Sequence, residues 1–423
     1  MNEEKLKGKR LLVLGGAIQC SKVVEAAKAM GVYTIVTDIR ANKMVAAIAD
    51  ETLPFSVTDS EAILAWCKAH PVDGILNLNI DYAQHAHQKV CAALGLPNYG
   101  TLRQYHVLTD KTAFKAFCRE NGVDVIEEYD ENEPDQVKYP VLVKPSESSG
   151  SRGATACWSR EELLPALAAA KTESKNGRAI IEKYMGGKPD FSCTYIVIDG
   201  EPYLYRTVDR YLGRPEDNLQ RQCICATHCS KYTDMYLEKV HERVCAMIRR
   251  LGLVNSPLML QGFVDGDTVR FYDQGIRFSG SEYERIVKRC TGVDVVKPFV
   301  AYALGEDLST LAPQLKDIYR LNGLCSIQVL LDLYPGTIGS IEGIEEIARL
   351  PFMDSVLQKH FVGDVIPASG DVSQRAFELV IIVDKDPHAM VEAIEEVRKR
   401  VDIRNDRGEN MLTPIVDTRR LFQ

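Results

Sequence analysis

Asp273 and Arg277 stand four residues apart on one short apolar run, Phe271-Tyr272-Asp273-Gln274-Gly275-Ile276-Arg277-Phe278. Such a run seldom carries both charges without a role, because an uncompensated buried charge is costly. Upstream, Lys144 ends the apolar run that begins at Pro140, and the Ser- and Gly-rich stretch Ser146 to Gly153 follows. Small residues let backbone N–H groups close around phosphate oxygens, and a strand-end lysine adds a fixed positive charge. An ordinary hairpin tip is the alternative. Ile180 to Gly187 runs an apolar strand into a bend, whose backbone groups could read an adenine edge, with Asp190 placed to accept from ribose hydroxyls. Here the alternative is a Gly-Gly hairpin. Gln261 and Asp273 fall on two arms joined by the turn signal Asp265-Gly266-Asp267. Antiparallel pairing brings their oxygens together, as Mg2+ requires beside phosphates. Arg277 on the same arm would then stabilise charge developing on a transferred phosphoryl group.

The elements that must position these groups begin with alternating strands and helices. Arg10 to Gly15, Tyr33 to Asp38 and Gly74 to Asn79 read as strands, and Ser21 to Met30, Ser60 to His70 and Tyr82 to Leu94 as helices. Regular alternation with short connections predicts a parallel sheet covered by helices, with ligands at the carboxyl ends of the strands. A helix opens at Thr109-Asp110-Lys111 and runs through Glu120. From Tyr139 the pattern turns β-rich, with strands at Val141 to Lys144, Thr155 to Trp158, Ala179 to Glu182, Phe191 to Ile198 and Tyr203 to Thr207 around one helix at Arg160 to Ala170, which predicts a small α+β lid. A single helix is expected over Tyr236 to Leu251, then the hairpin at Leu258 to Val264 and Thr268 to Asp273. The chain closes with a strand at Ala376 to Val383 and a helix at Pro387 to Arg400.

With 423 residues the chain predicts two to four domains. The net charge of −8 gives no electrostatic reason to expect a nucleic-acid partner. No apolar run long enough to span a membrane is present, and the first residues lack a signal core, so a cytosolic protein is expected. Twelve cysteines sit singly on apolar faces and read as core residues. The exception is Cys223, Cys225, His228 and Cys229, which reads either as zinc ligands at an unusual spacing or as a strand with its thiols inward. Gly15-Gly16 after the first strand and Asp38 after the second invite a dinucleotide site. The run Gly15 to Cys20 lacks the glycine spacing that lets a pyrophosphate approach a helix, so glycines serving packing are expected instead.

In their order, Thr109-Asp110-Lys111, Val143-Lys144-Pro145 with Gly150-Ser151-Arg152-Gly153, Glu182-Lys183-Tyr184-Met185 and the run Asp273 to Arg277 resemble the ATP-grasp superfamily. The resemblance is to its carboxylate–amine ligases, L-amino acid ligases among them, and to the ATP-binding halves of carbamoyl-phosphate synthase and biotin carboxylase. It implies an α/β and α+β multidomain protein: a doubly wound parallel sheet over 1–106, an ATP-grasp domain over 107–305 with a lid at about 139–205, and a C-terminal part over 306–423 that completes a central antiparallel sheet and adds a small α+β module.

The same resemblance implies ATP, with Mg2+ or Mn2+. Lys111 and Lys144 would hold its phosphates, Ser148, Ser149, Gly150, Ser151 and Gly153 would close over them, and the backbone of Lys183 and Met185 would read the adenine beside Glu182. Asp190 would take the ribose, Gln261 and Asp273 the metal, and Arg277 the γ-phosphate and an acyl phosphate. The chemistry implied is activation of a small-molecule carboxylate by ATP and capture by an amine, in a protein expected to form homodimers. Arg206, Arg210, Arg214 and Arg221 border the expected acceptor pocket, where they read either as a grip for an anionic substrate or as a solvated loop. Gly336 to Gly343 and Gly363-Asp364 resemble the C-terminal module of amino-acid ligases. Bicarbonate or formate as the activated acid is the second enzymatic reading; no biotin-carrier segment and no second ATP-binding copy is expected. Gly275 replaces the family's metal-binding asparagine and Asp273 its glutamate, which motivates a third reading, a nucleotide-binding regulatory protein.

Overall fold

A computed structural model describes residues 3–39, 41–146, 153–174, 176–213, 222–369 and 372–422. The alternating N-terminal segment folds as a four-stranded parallel sheet in the order Glu51–Leu53, Tyr33–Thr37, Arg10–Leu14, Gly74–Leu76. The strand Glu51–Leu53 and the helix Lys43–Ile48 before it are too short to leave a periodic signal in the sequence. Gly74 has a packing role, since a Cβ there would lie 2.2 Å from the carbonyl oxygen of Ala303. Helix Val296–Ala303 therefore sits directly against the parallel sheet, and the N-terminal layer shares one apolar core with half of the central sheet.

That central sheet has eight antiparallel strands in the order Thr268–Gly275, Ser256–Asp265, Asp190–Ile198, Glu201–Leu212, Cys223–His228, Leu324–Asp332, Arg375–Asp384, Met353–Gln358. Strands Asp190–Ile198 and Glu201–Leu212, which the sequence assigned to the lid, belong to this sheet. Asp190–Ile198 is buried along its whole length and pairs with Ser256–Asp265, and Glu201–Leu212 pairs with Cys223–His228, contacts between distant segments that place both in the central sheet. The lid sheet itself comprises Glu128–Tyr129, Ala179–Lys183, Val141–Pro145 and Thr155–Cys157, with helix Arg160–Glu173 closing its own small core. The expected helix over Tyr236 to Leu251 is two helices, Thr233–Lys239 and His241–Leu251. Both bury the same face, through Tyr236, Val244 and Ile248, so the apolar spacing runs through the break. The C-terminal strands Leu324–Asp332 and Arg375–Asp384 complete the central sheet, and Val365–Ile366, Gly336–Glu342 and Asp402–Asn405 form a separate three-stranded sheet beside helix Pro387–Arg400. Among the described residues, no helix is long and apolar enough to cross a membrane.

Candidate functional site

Asp110 caps helix Lys111–Glu120 by accepting from the Ala113 N–H at 2.8 Å, which fixes Lys111 at the first helical position. From there the Lys111 Nζ lies 3.6 Å from Asp273 Oδ1. Asp273 holds the ammonium above the ordinary lysine range against the cost of burial, with Glu182 and Asp81 adding to it. One turn further along the same helix Lys115 is fully buried and binds Glu182, and its Nζ also reaches Glu128 at 2.9 Å. The sequence reading missed Lys115. Its signal was a lysine between the buried Phe114 and Cys118 on the apolar face of the helix.

Lys144 approaches the same carboxylate from the lid, its Nζ 2.7 Å from Glu182 Oε2. Glu182 thus accepts from two buried ammonium groups. Although burial alone would raise its pKa, Lys144 and Lys115 together hold it down to about 2. Lys144 moves the other way: desolvation and repulsion from Lys115 and Lys111 outweigh the attraction of Glu182 and bring it down to about 8. The aromatic ring of Tyr272 faces its ammonium at 5.9 Å.

The hairpin register sets Gln261 directly opposite Asp273, with a bulge immediately after Gln261 that gives Tyr272 no partner of its own in the ladder. The Tyr272 hydroxyl donates to Asp190 Oδ2 at 3.0 Å, and the Arg210 Nη1 donates to Asp190 Oδ1 at the same distance. Asp190 is thus already engaged, and Arg210 is tied to it rather than to an open pocket. Arg277 lies just beyond the strand end, where its Nε donates to Asp81 Oδ1 at 2.9 Å and its Nη1 to the Phe278 carbonyl. Asp81 and Gln84 follow the carboxyl end of strand Gly74–Leu76, and Gln84 accepts from the Ile276 N–H at 2.7 Å. The parallel sheet is the one its alternation predicted, and its carboxyl end contacts the segment just beyond strand Thr268–Gly275 through Asp81 and Gln84. Gly275 leaves close quarters for the same arginine, since a Cβ there would come within 3.3 Å of Arg277 Cγ and Nε.

The other candidates are distributed around this centre. The Lys183 N–H donates to the Glu127 carbonyl at 2.9 Å, Met185 is buried, and Gly153 adopts a φ of +70° beside Pro145. Ser148, Ser149, Gly150 and Ser151 lie outside the described residues, as do Arg214 and Arg221. Arg206 is buried beside Tyr283. Strand Cys223–His228 resolves the cysteine cluster: alternation sends Cys225 to one face and His228 to the other, so the two cannot share an ion. Asp38 accepts from the Gly16 N–H at 2.9 Å, and a Cβ on Gly16 would strike Ala41 at 2.7 Å, so the glycine turn packs as expected.

Residues 108–211 match the family described as D-ala D-ala ligase C-terminus. The propionyl-CoA carboxylase alpha chain of Ruegeria pomeroyi is 25% identical over 332 residues, which is 71% of this chain and 47% of that protein. The chain thus spans about half the length of that relative. The crystal structure of L-amino acid ligase from Bacillus licheniformis superposes with a TM-score of 0.78 at 17% identity, covering 95% of this chain and 99% of the ligase. The chain has the ATP-grasp fold. Another ATP-grasp structure, the biotin carboxylase domain of Hydrogenobacter thermophilus 2-oxoglutarate carboxylase in complex with MgADP and bicarbonate, superposes with a TM-score of 0.73 at 19% identity, over 96% of this chain and 91% of that one. In this fold, the lid, the helix start at Lys111 and the central hairpin are the three elements that meet at Glu182 and Asp273.

Proposed function

We propose that the chain is an ATP-dependent ligase that activates a small-molecule carboxylate as an acyl phosphate and joins it to an amine, releasing ADP and phosphate. The observation that carries this is the meeting of Lys111 with Asp273, of Lys144 with Glu182, of Gln261 opposite Asp273, and of Arg277 with Asp81 around one hairpin. Lys111 and Lys144 would grip the phosphates from the helix and from the lid. The Lys183 carbonyl and the Met185 N–H would read the adenine edge, with Asp190 and its partners nearby.

Gln261 and Asp273 would hold Mg2+, which supplies positive charge beside the transferred phosphoryl group. Among the described residues no three His, Cys, Asp or Glu side chains gather into a metal cage. Asp273→Asn is expected to raise the Mg2+ concentration needed for half-maximal activity by on the order of tenfold, measured by titrating Mg2+ at saturating ATP.

In the reaction, a carboxylate oxygen attacks the γ-phosphorus, the bond to the β,γ-bridging oxygen breaks, and ADP leaves. Arg277 faces the charge that builds on the phosphoryl oxygens. The amine then attacks the acyl carbon, the carbon–oxygen bond to phosphate breaks, and the amine gives up its proton. A closed lid keeps water from the acyl phosphate.

The state of Lys144 sets a pH dependence. With its pKa at about 8 in the free protein, the ammonium that grips phosphate is mostly charged at pH 7 and mostly neutral at pH 9. The apparent affinity for ATP is therefore expected to fall roughly tenfold between those values. Lys144→Arg, charged throughout, should flatten the profile. Calorimetric titration with ATP across that range is the check.

A screen of ADP release over pairs of acids and amines tests the function itself: release that needs both partners supports a ligase, and ATP binding without such release would overturn it. Bicarbonate belongs in that screen, because the similar biotin carboxylase domain was solved in complex with it.

A further inference from the structure

Two lysines share Glu182, and they differ in what they can do when a nucleotide arrives. Lys144, half-buried at the end of strand Val141–Pro145, brings its Nζ to 2.7 Å from Oε2 and faces the Tyr272 ring. Lys115 holds Oε1 of the same carboxylate from helix Lys111–Glu120, and its side chain is fully enclosed, out of reach of a ligand. Its other partner is again an acid of the lid, Glu128 Oε1 at 2.9 Å. Glu128 and Glu182 are opposed in the lid sheet, where two carboxylates side by side repel. Lys115 is the cation that bridges them, and Arg119 takes the second oxygen of Glu128.

An ammonium that moves onto a phosphate leaves its own carboxylate behind. Glu182 is buried, and stripped of every cation it would be an uncompensated charge facing a second acid, a cost that would weaken nucleotide binding directly. We infer that Lys115 is a positioning residue for ATP: it stays on Glu182 as a standing counter-charge, which lets Lys144 turn from that carboxylate to the phosphates. The inference rests on the ATP-site reading and adds to it a residue that touches no substrate. Lys115 also acts on Lys144 before ATP arrives. The titratable groups around Lys144 are Glu182 from the lid, Lys115 and Lys111 from the helix, and Tyr272 and the Lys111-paired Asp273 from the hairpin. Burial brings Lys144 down to about 8 against the pull of Glu182, and repulsion from Lys115, then from Lys111, adds to the fall. Without Lys115 the remaining pair tightens: Lys144 titrates at higher pH and is the only ion-pair partner of Glu182 among the described residues.

The test uses the full-length chain and MgATP. Lys115→Met keeps an unbranched side chain and orphans neither acid, because Glu182 keeps Lys144 and Glu128 keeps Arg119. Calorimetric titration at pH 7 is expected to show ATP bound on the order of 30-fold more weakly than by the wild type. With the best acid and amine pair, the KM for ATP should rise by a similar factor while kcat changes no more than about threefold, since Lys115 makes no contact that forms in the transition state. The fall in ATP affinity with rising pH, centred near the Lys144 value of about 8 in the wild type, should move up by about one pH unit. Adding Glu182→Gln removes the acid that Lys144 must leave, and this double variant should bind ATP within a few-fold of the wild type. Unchanged affinity in Lys115→Met overturns the inference and leaves the ATP-site reading intact. Weakened affinity with the pH profile unmoved, or with no recovery in the double variant, makes Lys115 merely structural and overturns it too. So does a Lys115→Met chain that folds neither alone nor with Glu182→Gln. A wild type that binds no MgATP overturns the ATP-site reading, and the inference with it.

Discussion

Arg277→Ala is expected to lower partner-dependent ADP release by about 100- to 1000-fold in kcat, with little change in the KM for ATP. The size of the effect follows from position. The guanidinium is held by Asp81 and by the Phe278 carbonyl, so it is already oriented before substrates arrive. Its charge would act where negative charge grows, on the phosphoryl group in flight and on the acyl phosphate, more than on bound ATP. An interaction made mainly in the transition state is lost from kcat rather than from KM. Asp81→Asn should produce a smaller loss of the same kind, because it loosens the arginine without removing it. Steady-state kinetics on the two variants, with the best acid and amine pair, separates these effects.

Glu182→Gln is expected to destabilise the protein by roughly 3–5 kcal/mol, the usual cost of removing one partner from a buried ion pair. Glu182 is 1% exposed and stands between the fully buried Lys115 and the half-buried Lys144, so its loss leaves two ammonium groups with no carboxylate between them. Lys115 keeps Glu128, while Lys144 keeps only the Tyr272 ring among the contacts described above. Urea unfolding at neutral pH measures the difference. A pH series adds a second check. The folded carboxyl titrates at about 2, below its ordinary value of 4.5, so its contribution is complete above that ordinary value and is lost as the pH falls towards about 2. The gap between wild type and Glu182→Gln should therefore narrow on acidification below about pH 4.5. ATP should recover part of the loss by giving Lys144 an anionic partner again.

Much of this site was legible because it depends on short-range signals. The turn at Asp265-Gly266-Asp267 puts Gln261 and Asp273 on facing arms, and the bulge after Gln261 then sets the two directly opposite, where the turn alone would pair Gln261 with Tyr272. Strand and helix alternation before Asp81 was enough to predict the parallel sheet, whose carboxyl edge carries the Asp81 that holds Arg277. What was not legible arises from contacts between distant segments. The ion cluster of Lys115, Glu182 and Lys144 joins a helix to two lid strands, and no local pattern marks such a meeting. Asp190 was read as a ribose acceptor, yet Arg210 and Tyr272 already occupy it. Tyr272 reaches it beside a bulge that alternation could not foresee. Arg206 and Arg210 looked equivalent in the sequence. Four residues apart on one strand, they differ because only Arg210 meets an acid across the sheet.

Formation of an acyl phosphate is tested most directly with an acid substrate carrying 18O in both carboxylate oxygens, incubated with ATP, Mg2+ and its amine partner. The oxygen that attacks the γ-phosphorus stays on phosphorus when the amine displaces it. Mass spectrometry of the inorganic phosphate is expected to show one 18O per phosphate, formed only when both acid and amine are present. Unlabelled phosphate, or phosphate released at the same rate without the acid, would contradict carboxylate activation by this chain.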